Sequence, residues 1–213
     1  MVPMRMSAVY PQPAPVQPVP ARRSGHYARP MAVVVRLAGT FRVHAAGARR
    51  TWAGNTGAGN ADAAATEHVI GSPKARRLLA LLAARREQVV TPDGLVDALW
   101  GDQPPERPAR NVATLVSRLR AQLGADVVVG DHRGYRLGGA RVDVADAARL
   151  VDEASRRLDA GTPALAVAAA ERALDLLGTG TALAGEPDAA WVDAVRAEVT
   201  VLRRTARRHG ALF

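Results

Sequence analysis

The sequence predicts an α+β winged helix-turn-helix domain followed by an all-α, tetratricopeptide-like module. Three observations carry this reading. Short β-branched runs near residues 33–45 precede three amphipathic helices. A hairpin pattern follows the last of these helices. From residue 141 onward the chain reads as helix, with a Gly-Thr-Pro turn joining two helices. The expected divisions are 1–32, 33–140 and 141–213.

Residues 1–32 include PQPAPVQPVP and are expected to form a disordered, Pro-rich basic arm. Met31 stands directly before the first strand-like run, so residues 1–30 read as an upstream extension. VVVRLA (33–38) and FRVHA (41–45), broken by Gly39, predict a hairpin. A glycine- and alanine-rich flexible loop over 46–66 leads to a third short strand over 67–70.

The first helix starts at Ser72-Pro73, an N-cap followed by proline at the first helical position. Ala75, Leu78, Leu79 and Leu82 form its buried stripe, with Lys74, Arg77 and Arg85 on a different face. Thr91-Pro92 starts the second helix, whose apolar residues are Leu95, Val96, Leu99 and Trp100 and which Gly101 ends. The third covers about residues 108–123 and closes on Gly124. VVV (127–129) and YRL (135–137) flank GDHRG, a hairpin with an expected five-residue tip. Asp143 is expected to cap a helix to about Ala160, and Thr162-Pro163 to start one reaching Leu177. A last helix runs from about Asp188 to His209, with Trp191, Val195, Leu202 and Ala206 on its apolar side. Arg203, Arg204, Arg207 and Arg208 close it, where positive charge complements the helix dipole.

Composition excludes several classes. Among 213 residues there is no cysteine, so a disulfide scaffold, a thiolate zinc site and a thiol nucleophile are ruled out. No apolar run approaches the roughly 20 residues of a membrane helix. The first residues lack a secretory pattern, and a cytoplasmic location without membrane contact is expected. The five histidines, at 26, 44, 68, 132 and 209, have no metal-ligand spacing. Neither G-x-x-x-x-G-K-[ST] nor G-x-S-x-G occurs, so no catalytic residue, metal or cofactor is expected and an enzyme is the weakest class.

The net charge of +9 is unevenly placed. Residues 1–32 carry four arginines and no acid, residues 33–140 carry fifteen basic against nine acidic side chains, and residues 141–213 carry ten against eleven. The excess on the middle segment points to a polyanion. On the third helix, Val112, Leu115, Val116, Leu119 and Leu123 share one side. Arg110, Asn111, Thr114, Ser117 and Arg118 lie on or beside the opposite one, which has no acid. Arginine can bind guanine bidentately, asparagine can read adenine, and a threonine methyl can meet thymine's. These five are the base-face candidates. Lys74, Arg77 and Arg120, with His132 and Arg133 on the hairpin tip, are the phosphate or wing candidates. A short helix, a connection, a basic-faced helix and a hairpin follow the order of a winged helix-turn-helix. The connection between the second and third helices exceeds the three- or four-residue turn of a simple one, which points to the OmpR type.

GSPKARRLLALLAARREQVVTPDGLVDALWGDQPPERPARNVATLVSRLRAQLG, followed by GYRL, resembles the DNA-binding domain of the SARP family, the AfsR/DnrI/RedD-like activators of actinobacterial antibiotic gene clusters. The K-x-R-x-L-L, L-V-D-A-L-W-G and V-S-R-L-R segments carry the resemblance together. It implies an OmpR-type winged helix over 33–140 that binds direct repeats in double-stranded promoter DNA. It also implies a bacterial transcriptional activator domain over 141–213, which is shorter than the family's and reads as truncated. Self-association on DNA and contact with RNA polymerase, through its sigma or alpha subunit, belong to the same expectation. Asp102, Gln103, Glu106 and Arg107 are the polymerase-facing candidates. The alternative is a truncated interaction module that binds DNA or a partner without activating transcription.

Overall fold

Alternating valines set the first sheet. In β1 (Val33–Arg36) and β2 (Arg42–Ala45), antiparallel pairing aligns Val33 with Ala45 and Val35 with Val43, all buried. Val34 and His44 share the other, more polar face. The computed structural model describes residues 33–45, 66–86 and 88–211. The arm over 1–32 and the loop over 46–66, apart from residue 66, lie outside the described residues. β3 (Thr66–Glu67) pairs with the end of β2, earlier and shorter than the strand expected over 67–70. His68 still donates its N–H to the Val43 carbonyl, but Val69 turns out to solvent and Ile70 is buried.

Three helices follow: α1 (Pro73–Arg85), α2 (Pro92–Trp100) and α3 (Pro108–Leu123). Both expected N-caps form, with the Ser72 and Thr91 hydroxyls accepting from the N–H groups of Ala75 and Gly94. The hairpin is tighter than the sequence suggested. β4 (Val128–Asp131) and β5 (Gly134–Leu137) pair as far as Asp131 and Gly134, leaving a two-residue tip, His132-Arg133, instead of five. Gly130 makes this closeness workable: its φ is +123°, and an added Cβ would collide with the Gly134 carbonyl. Val90, between α1 and α2, exchanges N–H and carbonyl bonds with Tyr135 and so adds to the wing.

A strand that the sequence did not announce comes next. β6 (Ala140–Val142) pairs parallel with β1, giving the order β3-β2-β1-β6, and it spans the position where the sequence reading divides 33–140 from 141–213. Asp143 is corrected from helix cap to first residue of α4 (Asp143–Asp159), with Val142 at the cap position. Its buried carboxylate accepts from the backbone N–H groups of Leu37, Ala38 and Val144 at 2.8, 3.1 and 2.8 Å, so it grips the turn after β1. Burial pushes its carboxyl above the ordinary aspartate value, against the pull of those three N–H groups. Next come α5 (Pro163–Leu177) and α6 (Ala190–Gly210). Trp191, Val195 and Ala206 are buried as expected, together with Val192 and Val199, while Leu202 is half-buried. The helical module is closed against α1: Arg76 pairs with Glu186, the Arg77 guanidinium stacks over Trp191, and Arg86 pairs with Glu198. The buried residues of the helical module and of the winged domain belong to one cluster.

Candidate nucleic-acid interface

α3 builds the site because its apolar residues recur at helical spacing. Val112, Leu115, Val116, Leu119 and Leu123 are all buried, which turns the opposite face outward. Arg110, Asn111, Thr114, Ser117 and Arg118 are exposed on it. Among the described residues, neither the Arg110 nor the Arg118 side chain forms an ion pair, so both guanidinium groups remain available to a ligand. The Thr114 hydroxyl donates to the Arg110 carbonyl at 2.9 Å, which fixes the side chain on its helix.

The five wing and phosphate candidates are not alike. Arg120 reaches across to the hairpin, its Nε donating to the Val128 carbonyl at 2.8 Å and its Nη2 to the Gly130 carbonyl at 2.9 Å. It ties the wing to α3. Lys74 donates to the Leu99 carbonyl at the end of α2 and lies 5.5 Å from the centroid of the Trp100 ring, where a cation offsets the helix dipole. Arg77 does not share a solvent face with Lys74 and Arg85: its guanidinium is 5.8 Å from the Trp191 ring centroid, and its Nε is buried. His132 and Arg133 form the exposed tip. Arg133 pairs with Asp131 at 3.2 Å, and its backbone N–H and guanidinium hold the Asp131 carboxyl below the ordinary value. Asp102, Gln103, Glu106 and Arg107 are exposed on the connection between α2 and α3.

The contacts that sequence reasoning missed join distant segments. Arg86 and Glu198 are 112 positions apart, and Arg76 and Glu186 are 110 apart. No local pattern marks such pairs. Among the described residues, no group of three or more His, Asp or Glu side chains is arranged to hold a metal, and no helix is long and apolar enough to cross a membrane.

Residues 66–137, from β3 to the end of the wing, match the family described as "Transcriptional regulatory protein, C terminal". Regulatory protein AfsR of Streptomyces coelicolor is 40% identical over 120 residues, which is 55% of this chain and 12% of AfsR. Over residues 66–137 the chain is thus similar to the DNA-binding part of transcriptional regulators. Transcriptional regulatory protein MoaR1 of Mycobacterium tuberculosis is 42% identical to this chain over 78 residues, 34% of the chain and 25% of MoaR1. The chain thus spans a quarter or less of the length of these relatives. Both relatives, and the matched family, are described as regulatory proteins. The solved structure of Mycobacterium tuberculosis EmbR in complex with a low affinity phosphopeptide matches with a TM-score of 0.70 at 22% identity, covering 85% of this chain and 45% of that one. That coverage extends past residues 66–137, so the helical module shares the fold too.

Proposed function

We propose that this chain is a sequence-specific, DNA-binding transcriptional activator of a secondary-metabolite (antibiotic) gene cluster, acting in the cytoplasm on direct repeats near a promoter. The observation that carries the reading is the acid-free exposed face of α3, with two unpaired arginines, beside a wing that Arg120 fastens to the same helix. Arg110, Asn111, Thr114, Ser117 and Arg118 would meet base edges in the major groove. Lys74, Arg77, Arg120, His132 and Arg133 would contribute positive potential or phosphate contacts. In the free chain Arg120 ties the wing to α3, Lys74 binds the end of α2 and Arg77 stacks on Trp191 of α6. The exposed connection bearing Asp102, Gln103, Glu106 and Arg107 would face RNA polymerase, and a second copy would occupy the second repeat.

Footprinting on promoters of the neighbouring gene cluster, repeated with Arg118→Ala, tests the reading. The substitution is expected to cost about 1–3 kcal/mol on the best site and far less on random DNA. Equal weakening on every sequence would make Arg118 a backbone contact. In vitro transcription tests activation: promoters that are occupied without a rise in transcript would favour an interaction module that binds without activating.

A further inference from the structure

We propose that the last turns of α6, through Arg204, Arg207 and Arg208, form a second phosphate-binding surface that touches the same duplex as the wing. The proposal rests on the DNA-binding reading above and extends it to the helical module, whose overall charge gave no reason to expect it.

Positions three and four apart share a helix face, so Arg204, Arg207 and Arg208 stand together, with Thr200 and Ala211 beside them. All three arginines are exposed. Among the described residues, none has a carboxylate within ion-pair distance. Elsewhere in the same module arginines do find one: Arg141 and Arg149 pair with Asp146, Arg156 and Arg157 with Glu153, and Arg196 with Asp188. Arg172 on α5 also lacks one, but at the end of α6 three such arginines stand on one face. The dipole of that helix end supplies only about half a negative charge, against three full positive ones. A fourth arginine sits behind them. Arg203 donates to the Leu177 and Gly180 carbonyls at 2.7 and 2.6 Å, and burial together with the charge of Arg207 lowers its pKa. A guanidinium cluster that repels itself in the free protein gains most from a ligand carrying several negative charges at regular spacing. Phosphates along a nucleic-acid backbone have that form, and the arginine fork fits them.

The packing of α1 on α6 places the cluster. Arg77 and Arg86 meet Trp191 and Glu198 of α6 in the same order, with Arg76 on Glu186 just before that helix, so α1 and the first half of α6 run side by side in one direction. α1 leads into the wing, where Val90 pairs with Tyr135 and Gly134 lies against Val89. Arg204 to Arg208 lie six to ten residues beyond Glu198, about 9–15 Å further along the helix axis. They project past the end of α1, toward the end of the molecule that carries the wing.

The test is the salt dependence of binding of the full chain to a random-sequence duplex, read by fluorescence anisotropy. Replacing Arg204, Arg207 and Arg208 together with glutamine is expected to flatten the slope of log K against log salt by about 0.9 per arginine. The corresponding lysine variant should keep the wild-type slope. Each arginine replaced singly by glutamine should show its own share, so a folding defect in the triple variant leaves the single variants to decide. Wild-type slopes in all glutamine variants would overturn the proposal while leaving DNA binding by α3 intact. Unchanged DNA binding with lost capture of RNA polymerase would overturn it in favour of a protein-facing surface. A wild-type chain that binds no duplex at any salt would overturn both this proposal and the DNA-binding reading.

Discussion

Arg120 shows how one side chain can join two parts of a reading surface. It lies in the last turn of α3, and both of its bonds end on carbonyls of β4. Arg120→Ala removes two charge-assisted hydrogen bonds and is expected to destabilise the chain by about 1–3 kcal/mol, measured as a lower urea midpoint. Arg120→Lys should recover only part of this, because an ammonium cannot fork between two carbonyls as a guanidinium does. An unchanged midpoint in the alanine variant would mean that the wing holds without Arg120. At the wing tip the effect runs the other way. Asp131 partly neutralises Arg133, so Asp131→Asn should tighten binding to random DNA and steepen its salt dependence. Equal slopes for the variant and wild type would remove Arg133 from the contact. At this scale the sequence revealed residue types and faces, but not partners. The five exposed residues of α3 follow from periodicity alone. That Lys74 ends on the Leu99 carbonyl and Arg77 on Trp191 depends on which elements meet, and no neighbouring residue encodes it.

Elements were the most legible level, for a physical reason. Ser72-Pro73 and Thr91-Pro92 announce helices because capping is decided within four residues. Thr162-Pro163 marks the start of α5 equally well, although there the threonine hydroxyl donates back to the Arg157 carbonyl instead of capping. β6 escaped notice because it has three residues, only one of them β-branched, and its pairing with β1 reaches across a hundred positions. The wing was found but drawn too loose, since glycines at 130 and 134 suggested a loop where they permit close pairing. Gly130→Ala tests this. The new Cβ would sit at positive φ and strike the Gly134 carbonyl, so a loss of about 1–3 kcal/mol in stability is expected. DNA affinity should fall with it. A variant as stable as wild type would show that the hairpin relaxes freely.

For the whole molecule, the buried residues form one continuous cluster from Val33 in β1 to Ala206 in α6. The winged domain and the helical module therefore share a core, and urea unfolding should follow a single transition. Tryptophan fluorescence, with Trp191 at the junction, should coincide with far-ultraviolet circular dichroism. Two separated transitions would refute the shared core. Asp143 adds a pH signature. Its carboxyl titrates higher in the folded chain than the ordinary aspartate value. As pH rises from that ordinary value through the raised one, the unfolded chain releases this proton first, so the contribution of Asp143 to stability falls. Asp143→Asn should remove that slope and lower stability across the range, because an amide cannot accept from all three N–H groups. A variant with the wild-type pH profile would assign the slope elsewhere.

The bond between Asp143 and the turn after β1 has a consequence for spacing on DNA. Only Gly138 and Gly139 separate the wing from β6, and α4 begins directly after that strand. The helical module is thus locked in angular phase to α3, like a flag on a fixed mast. Two copies on repeats one helical turn apart, about 10–10.5 base pairs, would fly their flags on the same side of the duplex. Five extra base pairs between the repeats would turn one flag to the far side while leaving both reading helices seated.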